Sequence, residues 1–280
     1  MQATEDFTMV QEIGMKVLCV LPPKAHVVHF FSGGLGSTVI AKIFTPLLEE
    51  KLHCVVINTG GLCDDEVTIR RNAVAANCPL TIIDAKQDFF NVLNGIDDPL
   101  LKLAAFGSMY TKKALEVAAY CRTSYTMDGS SFDTSMREDE IWNPGLTHFR
   151  PLENLRKDEI RTLARALKLP EWIIEKKPLS DPGYFARIIG MPITEKRIDI
   201  LQWANKQVCA IVENSFGCLH TIALTRIKND GPYAVILHVK KKLWELYYSM
   251  FCMDILQALH AHPEISRVWF DFGDEPISEF

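Results

Sequence analysis

The stretch Phe31-Ser32-Gly33-Gly34-Leu35-Gly36-Ser37-Thr38 carries the residue types of an anion cradle. Glycines let the backbone approach an anion closely, and the N–H groups at a helix start point toward it. Ser32, Ser37 and Thr38 add hydroxyl donors. The stretch fits neither G-x-x-x-x-G-K-[ST] nor G-x-G-x-x-G, the two common phosphate patterns. It predicts a phosphate or pyrophosphate cradle built from Ser32, Gly33, Gly34, Gly36, Ser37 and Thr38. The plain alternative is a Gly/Ser turn that only joins a strand to a helix. What flanks the loop decides between them.

Other residues are weaker candidates for chemistry. Cys63 follows a strand in Gly60-Gly61-Leu62-Cys63-Asp64-Asp65, where it is the cysteine best placed to carry sulfur. The neighbouring acids work against a reactive thiolate there. Cys54 and Cys121 read as small core residues. His26, His29 and His53 read as satisfied strand residues. Cys218-x-His220 reads as strand packing, and Lys240-Lys241-Lys242 as a solvated helix start.

The elements around the cradle alternate. His26–Phe31 is short, apolar and β-rich, and reads as a buried strand. Val39, Ile40, Phe44, Leu47 and Leu48 give helical spacing from Ser37 to Leu52. His53–Asn58, Leu80–Asp84 and Thr123–Met127 read as further strands, with a helix over Leu101–Arg122. This alternation predicts an α/β fold, a Rossmann-like parallel sheet covered on both faces. A helix over Lys157–Lys168 opens with Asp158 and Glu159, which suit its dipole. The segment 176–183 is a loop by its Pro and Gly content. After Gly190 the texture changes. A helix over Thr194–Val212 precedes strands at Cys218–Ile227 and Tyr233–Val239, joined by the turn signal Asn229-Asp230-Gly231. A helix over Lys242–Ala261 and a strand over Arg267–Phe272 close the chain. The boundary is expected near residue 190, with a small α+β domain beyond it.

Composition bounds the rest. The 280 residues suit one large domain or two, and 48% apolar content builds a full core. Thirty Lys and Arg against 35 Asp and Glu give a net charge of −5, which argues against nucleic acid as a partner. No apolar run approaches a membrane span, and the N-terminal stretch does not read as a secretory signal. Eight cysteines without a C-x-x-C argue against a disulfide scaffold. A soluble cytoplasmic protein is expected.

The S-G-G-x-x-S-T loop resembles the PP-loop of the N-type ATP pyrophosphatases, the adenine-nucleotide alpha-hydrolase type. The resemblance is closest to the synthetase part of GMP synthetase and covers roughly residues 10–280. Residues 149–161, ending Leu155-Arg156-Lys157-Asp158-Glu159-Ile160-Arg161, are similar to the family's P-L-x-x-L-x-K-D-E-V-R. Residues 177–190, ending Ala186-Arg187-Ile188-Ile189-Gly190, resemble H-P-F-P-G-P-G-L-A-x-R-I-x-G. Residues 264–271 resemble its closing I-x-R-V-V-Y-D. The resemblance implies residues 1–190 as a PP-loop ATP pyrophosphatase domain and 191–280 as an α+β dimerisation or substrate domain. It implies ATP and Mg²⁺ as cofactors, a homodimer, and adenylation chemistry. In that chemistry a substrate carbonyl oxygen attacks the α-phosphate, pyrophosphate leaves, and a nitrogen or sulfur nucleophile displaces AMP. No glutaminase domain is seen before residue 1, so nitrogen or sulfur would come from a partner protein or from solution.

The departures from the family are as informative. Gly36 stands where the family has an Asp of the metal shell, and Asn58-Thr59-Gly60 stands for D-N-G. A Lys-Arg-rich stretch becomes residues 98–104, with Lys102 as its remaining phosphate cation. The Q-G-T segment becomes Asp128-Gly129-Ser130, with Asp128 and Asp133 as expected metal ligands and Asp64 and Asp65 in reserve. A His-rich stretch before Pro151 is missing. Asp274 and Glu275 replace the Lys of the closing S-K-P-P, which makes xanthosine monophosphate a poor substrate. Arg187 and Lys177 are the substrate-side cations. Asn58 and Gly129 join the nucleotide contacts, and Lys102, Asp133 and Cys63 are the catalytic candidates.

Three functions stay open. The first is an adenylating ligase acting on a small purine-like substrate. The second is thionation of a purine-like base through a persulfide on Cys63. The loop at 177–183 holds no Cys, so the family's sacrificial sulfur donors are disfavoured. The third is a degenerate nucleotide-binding or partner subunit.

Overall fold

The computed structural model describes residues 2–132, 145–175, 183–216, 220–227, 232–246 and 248–273. They belong to two compact units. The first takes residues 1–58, 64–85 and 107–178, and the second takes 59–63, 86–106 and 179–280.

The first unit is built on a parallel sheet. Its strands are β1 (Val27–Phe30), β2 (Leu52–Asn58), β3 (Leu80–Asp84), β4 (Tyr125–Met127) and β5 (Thr147–Phe149). Their order is β3-β2-β1-β4-β5, and every pairing is parallel. Strands buried on both faces need continuous apolar runs, and β1 supplies one in Val27, Val28, His29 and Phe30, all buried. The helices are α1 (Gln2–Leu18), α2 (Leu35–Leu48) and α3 (Glu66–Ala75). After α4 (Lys86–Leu93), which belongs to the second unit, α5 (Pro99–Tyr120) enters the first unit from Gly107 onward. The helices α6 (Lys157–Ala166) and α7 (Glu171–Ile174) complete it. In α2 the residues Val39, Ile40, Phe44 and Leu48 form the buried face, as their spacing predicts.

The strand order has a consequence for function. From β1 the chain moves outward through β2 and β3, then returns to the other side of β1 as β4. Loops after β1 and β4 therefore leave the same edge from neighbouring strands. Ligands of open α/β sheets bind at such a reversal.

The second unit holds a four-stranded sheet, ordered β6 (Ile188–Ile189), β7 (Thr221–Arg226), β8 (Tyr233–His238) and β9 (Ile265–Asp271). Only β7 and β8 run antiparallel, with Thr221 opposite His238. They flank the expected turn at 229–231, which lies outside the described residues. The helix α8 (Glu195–Phe216) matches the expected one. The helix expected over 242–261 is three pieces: α9 (Lys241–Leu246), a 3-10 turn (Tyr248–Phe251) and α10 (Cys252–His260). Tyr248 is fully buried at that break, its hydroxyl 3.1 Å from His220 Nδ1. No described helix is long and apolar enough to cross a membrane.

Candidate functional site

The loop expected to form the cradle joins a strand to a helix, as its flanking residues predict. β1 ends at Phe30, and α2 starts at Leu35. Gly34 caps α2 in an extended conformation and offers no side chain to its first N–H groups. Those donors are the ones an anion uses at a helix start. Hydroxyls order the loop from within. Ser32 Oγ lies 3.1 Å from Ser37 Oγ and accepts from Gly34 N at 3.3 Å. Ser37 Oγ and Thr38 Oγ1 donate to the Gly34 carbonyl at 3.1 and 2.7 Å. Ser37 and Thr38 are buried, while Ser32 is exposed.

The loop after β4 lies directly on this one. A Cβ on Gly36 would sit 2.2 Å from the Gly129 carbonyl oxygen, and one on Gly129 would sit 2.2 Å from Ser37 N. The two glycines thus make a backbone-on-backbone contact that neither position can share with a side chain. The Gly129 carbonyl occupies the space that a side chain on residue 36 would need.

Asp128 sits beside that contact and is engaged on both oxygens. Oδ1 accepts from Ser130 N at 2.8 Å, and Oδ2 lies 3.1 Å from His148 Nε2. His148 Nδ1 in turn lies 2.8 Å from Thr126 Oγ1. Burial alone would raise the Asp128 carboxyl. The His148 and Ser130 hydrogen bonds outweigh that and hold it below the ordinary carboxylate value.

Beneath the cradle lies His29, with none of its surface exposed. Nε2 donates to the Ser37 carbonyl at 2.8 Å, and Nδ1 lies 3.3 Å from the Met127 carbonyl. Burial lowers its basicity. The two carbonyls and Asp128 act the other way, and His148 adds to the lowering. The expectation of a satisfied core histidine holds, and this one ties α2 to β4. His53 and His26 pair with each other at 2.9 Å, and burial, with His26 beside it, lowers the His53 ring's basicity.

Among the other expected residues, Asn58 ends β2 at the same sheet edge, its carbonyl accepting from Ala85 N at 3.0 Å. Asp65 caps α3, accepting from Thr68 N at 2.7 Å. No three His, Cys, Asp or Glu side chains converge to hold a metal among the described residues. Asp133 and Lys177 lie outside the described residues. The hydrogen bond to Cys78, together with burial, pushes the Cys54 thiol up. Cys121 is half-buried rather than a core residue. Cys209 is disulfide-bonded.

The second unit gathers Lys102, Arg187 and Cys63. Lys102 is fully buried, and its ammonium donates to the Ile188 carbonyl at 3.3 Å. Arg187 is 8% exposed, so it is no surface arginine. It closes a 3-10 turn (Gly183–Arg187) that locks onto residues 59–63. Gly183 has φ +70°, and a Cβ there would lie 2.3 Å from the Gly61 carbonyl and 3.4 Å from Cys63 Sγ. Tyr184 N donates to that same carbonyl at 2.8 Å. Phe185 packs edge-on against Phe90 and Phe106. Burial lowers the Arg187 guanidinium, and its charge interaction with Cys63 opposes that.

Sequence reasoning missed His148 and Asn72. His148 stands three residues before Pro151, where the family's His-rich stretch reads as absent. Asn72 carries no sequence signal.

No protein-family profile matches the chain. Individual proteins do. A Pyrococcus abyssi protein, named as a subunit of glutamine-hydrolyzing GMP synthase, is 33% identical over 284 residues, covering 88% of this chain and 89% of the relative. The subunit of that name from Methanosarcina barkeri is 32% identical, with 88% of each chain covered. That from Methanocaldococcus jannaschii is 27% identical, with 88% and 89% covered. The chain belongs to this family of GMP synthase subunits. Membership fits the parallel sheet, the cradle after β1 and the smaller α+β region that follows. The glycine-rich loop of this chain holds Gly36 and Gly129 in mutual contact.

Two outcomes test this geometry. Gly36→Ala forces two backbones apart and should cost about 1–3 kcal/mol of stability, read by denaturant unfolding. An unchanged midpoint would mean that the contact is loose. His29 binds a proton less readily folded than unfolded. Between its lowered value and the ordinary 6.5, the unfolded chain holds more protons, so stability rises with pH there. Wild type should therefore lose more stability than His29→Gln between pH 7 and 5. Parallel pH curves for the two proteins would refute a neutral buried ring.

Proposed function

We propose that the chain is an adenylating enzyme that binds ATP in the Ser32–Thr38 cradle. It activates a carbonyl oxygen of a small, purine-like substrate. One observation carries the reading: a helix start with no side-chain cap, lined by hydroxyls, at the reversal point of a parallel sheet. The relatives' shared name, a GMP synthase subunit, supports it.

In the proposed reaction the substrate's carbonyl oxygen attacks the α-phosphorus, and the bond to pyrophosphate breaks. A nitrogen nucleophile then adds to the activated carbon, and AMP departs with the oxygen. The cradle's role is to hold the leaving pyrophosphate with donors fixed before the reaction. Asn58 and Gly129 are the further nucleotide contacts. Lys102 is proposed as the phosphate cation, with Arg187 and Lys177 on the substrate side. Residues 1–190 are proposed as the ATP pyrophosphatase domain and 191–280 as the dimerisation and substrate domain of a homodimer.

Mg²⁺ supplies charge neutralisation on the phosphates when bound. Such ions are held by one or two carboxylates together with phosphate oxygens. Asp128 is the described carboxylate beside the cradle, and it is already ionised by its hydrogen bonds. It is proposed, with Asp133, as the protein's share of that shell. The relatives' designation as one subunit of their enzyme supports a partner that delivers ammonia, and a cytoplasmic location is proposed with it. Xanthosine monophosphate is a disfavoured acceptor because of Asp274 and Glu275, which lie outside the described residues.

A second reading draws support from the interaction of Arg187 with Cys63. A cation beside a thiol favours the thiolate. Cys63 would then carry a persulfide received from a sulfur-donor protein. Its terminal sulfur would add to the activated carbon as AMP departs, and an external thiol would cleave the resulting disulfide at Cys63 to release the thionated product.

Calorimetry with ATP, with and without Mg²⁺, and pyrophosphate release against a panel of purines and their nucleotides test the proposal. Binding and release with one acceptor are expected. ATP binding without release for any acceptor would favour a nucleotide-binding partner subunit. No binding would end the reading. Cys63→Ser should leave amination intact and abolish sulfur transfer, and full thionation by this variant would remove Cys63 from the mechanism.

A further inference from the structure

The cradle has a support behind it that lies outside the loop itself. The helix α3 lies against Gly33, whose φ is +76°. A Cβ there would meet Ile69 Cγ1 at 3.2 Å and Ile69 Cα at 3.5 Å. Three residues on, Asn72 lies on the same face of α3 and is 1% exposed. Both ends of its amide are used. Nδ2 donates to the Gly33 carbonyl at 2.8 Å, and Oδ1 accepts from Trp172 Nε1 at 3.2 Å. An indole N–H can only donate and a carbonyl can only accept, so the two partners fix which way the amide points. Trp172, in α7, is half exposed and carries the Arg71 guanidinium 3.8 Å from its ring centroid.

The line from Trp172 through Asn72 ends on one peptide plane. In a trans peptide the carbonyl and the following N–H point in opposite directions. With the Gly33 carbonyl drawn toward α3, the Gly34 N–H faces away from it. On that side stand Ser32 Oγ, 3.3 Å from Gly34 N, and Ser37 Oγ, 3.1 Å further on. We propose that Asn72, anchored by Trp172, is a positioning residue that aims the Gly33–Gly34 peptide into the anion cradle. The inference rests on the reading of that loop as a pyrophosphate site. Asn72 touches no reacting atom and acts through the backbone. An aspartate has nearly the same shape but no donor when ionised. It turns the hydrogen bond to Gly33 into a contact between two acceptors.

The test is titration of the full chain with inorganic pyrophosphate at pH 8 and pH 5.5. Wild type is compared with Asn72→Asp, Asn72→Ala and Trp172→Phe, with thermal melts run alongside. At pH 8, Asn72→Asp should bind about tenfold or more weakly than wild type, the loss of one buried hydrogen bond. At pH 5.5 the ratio should close, because a buried carboxyl protonates early and the acid form donates to Gly33 again. Asn72→Ala should stay weak at both pH values, since it never donates. A merely structural role for Asn72 would not restore binding on acidification. Trp172→Phe, which keeps the ring, should weaken binding a fewfold at both pH values. Asn72→Asp binding like wild type at pH 8, or equally weakly at both, overturns the proposal. If Asn72→Asp fails to fold, wild-type affinity in Trp172→Phe overturns it instead. Wild type that binds no pyrophosphate at either pH would overturn the cradle reading, and the proposal with it.

Discussion

The reversal of strand order around β1 is the constraint from which the candidate site follows. Placing β2 on one side of β1 and β4 on the other sends two loops out of one sheet edge side by side. One loop must then open α2, because the chain turns from strand to helix within a few residues. The other must pass over it. The space left is one backbone wide, and this makes glycine necessary at both 36 and 129. His29 fills the floor beneath them, Nε2 donating to the Ser37 carbonyl and Nδ1 lying 3.3 Å from the Met127 carbonyl. The same burial lowers its basicity, since none of its own surface is open to water.

Much of the cradle's electrostatics comes from the backbone. Asp128 lies beside the loop, its carboxyl held below the ordinary value by the His148 and Ser130 hydrogen bonds. The favourable field for an anion comes from backbone donors and from the α2 dipole, equivalent to roughly half a charge at the helix start. Such a field depends on orientation far more than on net charge. A peptide turned over reverses its contribution entirely. For that reason the buried Asn72 amide bears more weight than its place on a polar helix implies.

Much of the fold was legible because parallel strands buried on both faces write themselves as apolar runs. His26–Phe31 and His53–Asn58 are such runs, and Leu80–Asp84, half-buried at the sheet's edge, is short and β-rich; each matches a strand closely. The cradle was legible because glycine and serine between strand and helix serve few other ends. What escaped was short or cooperative. β5 has three residues and β6 has two, too few for a period to show. The helix expected over 242–261 breaks where Tyr248 turns inward to His220, a tertiary contact that spacing does not encode. Arg187 reads from sequence as a substrate-side cation, and the locking of its turn against residues 59–63 accounts for its burial. Asn72 and His148 matter through partners 39 and 20 residues away in sequence. Single-sequence patterns are blind at that range.

The paired glycines also constrain each other. A side chain at residue 36 collides with the backbone at 129, and a side chain at 129 collides with the backbone at 36 and 37. Neither position is free to drift while the other stays. A carboxylate at residue 36 has no room while the loop after β4 keeps its place. That loop would first have to lift away, and its lifting would distort the cradle. The two positions therefore act as a single unit of sequence, in which a change at one is a demand on the other.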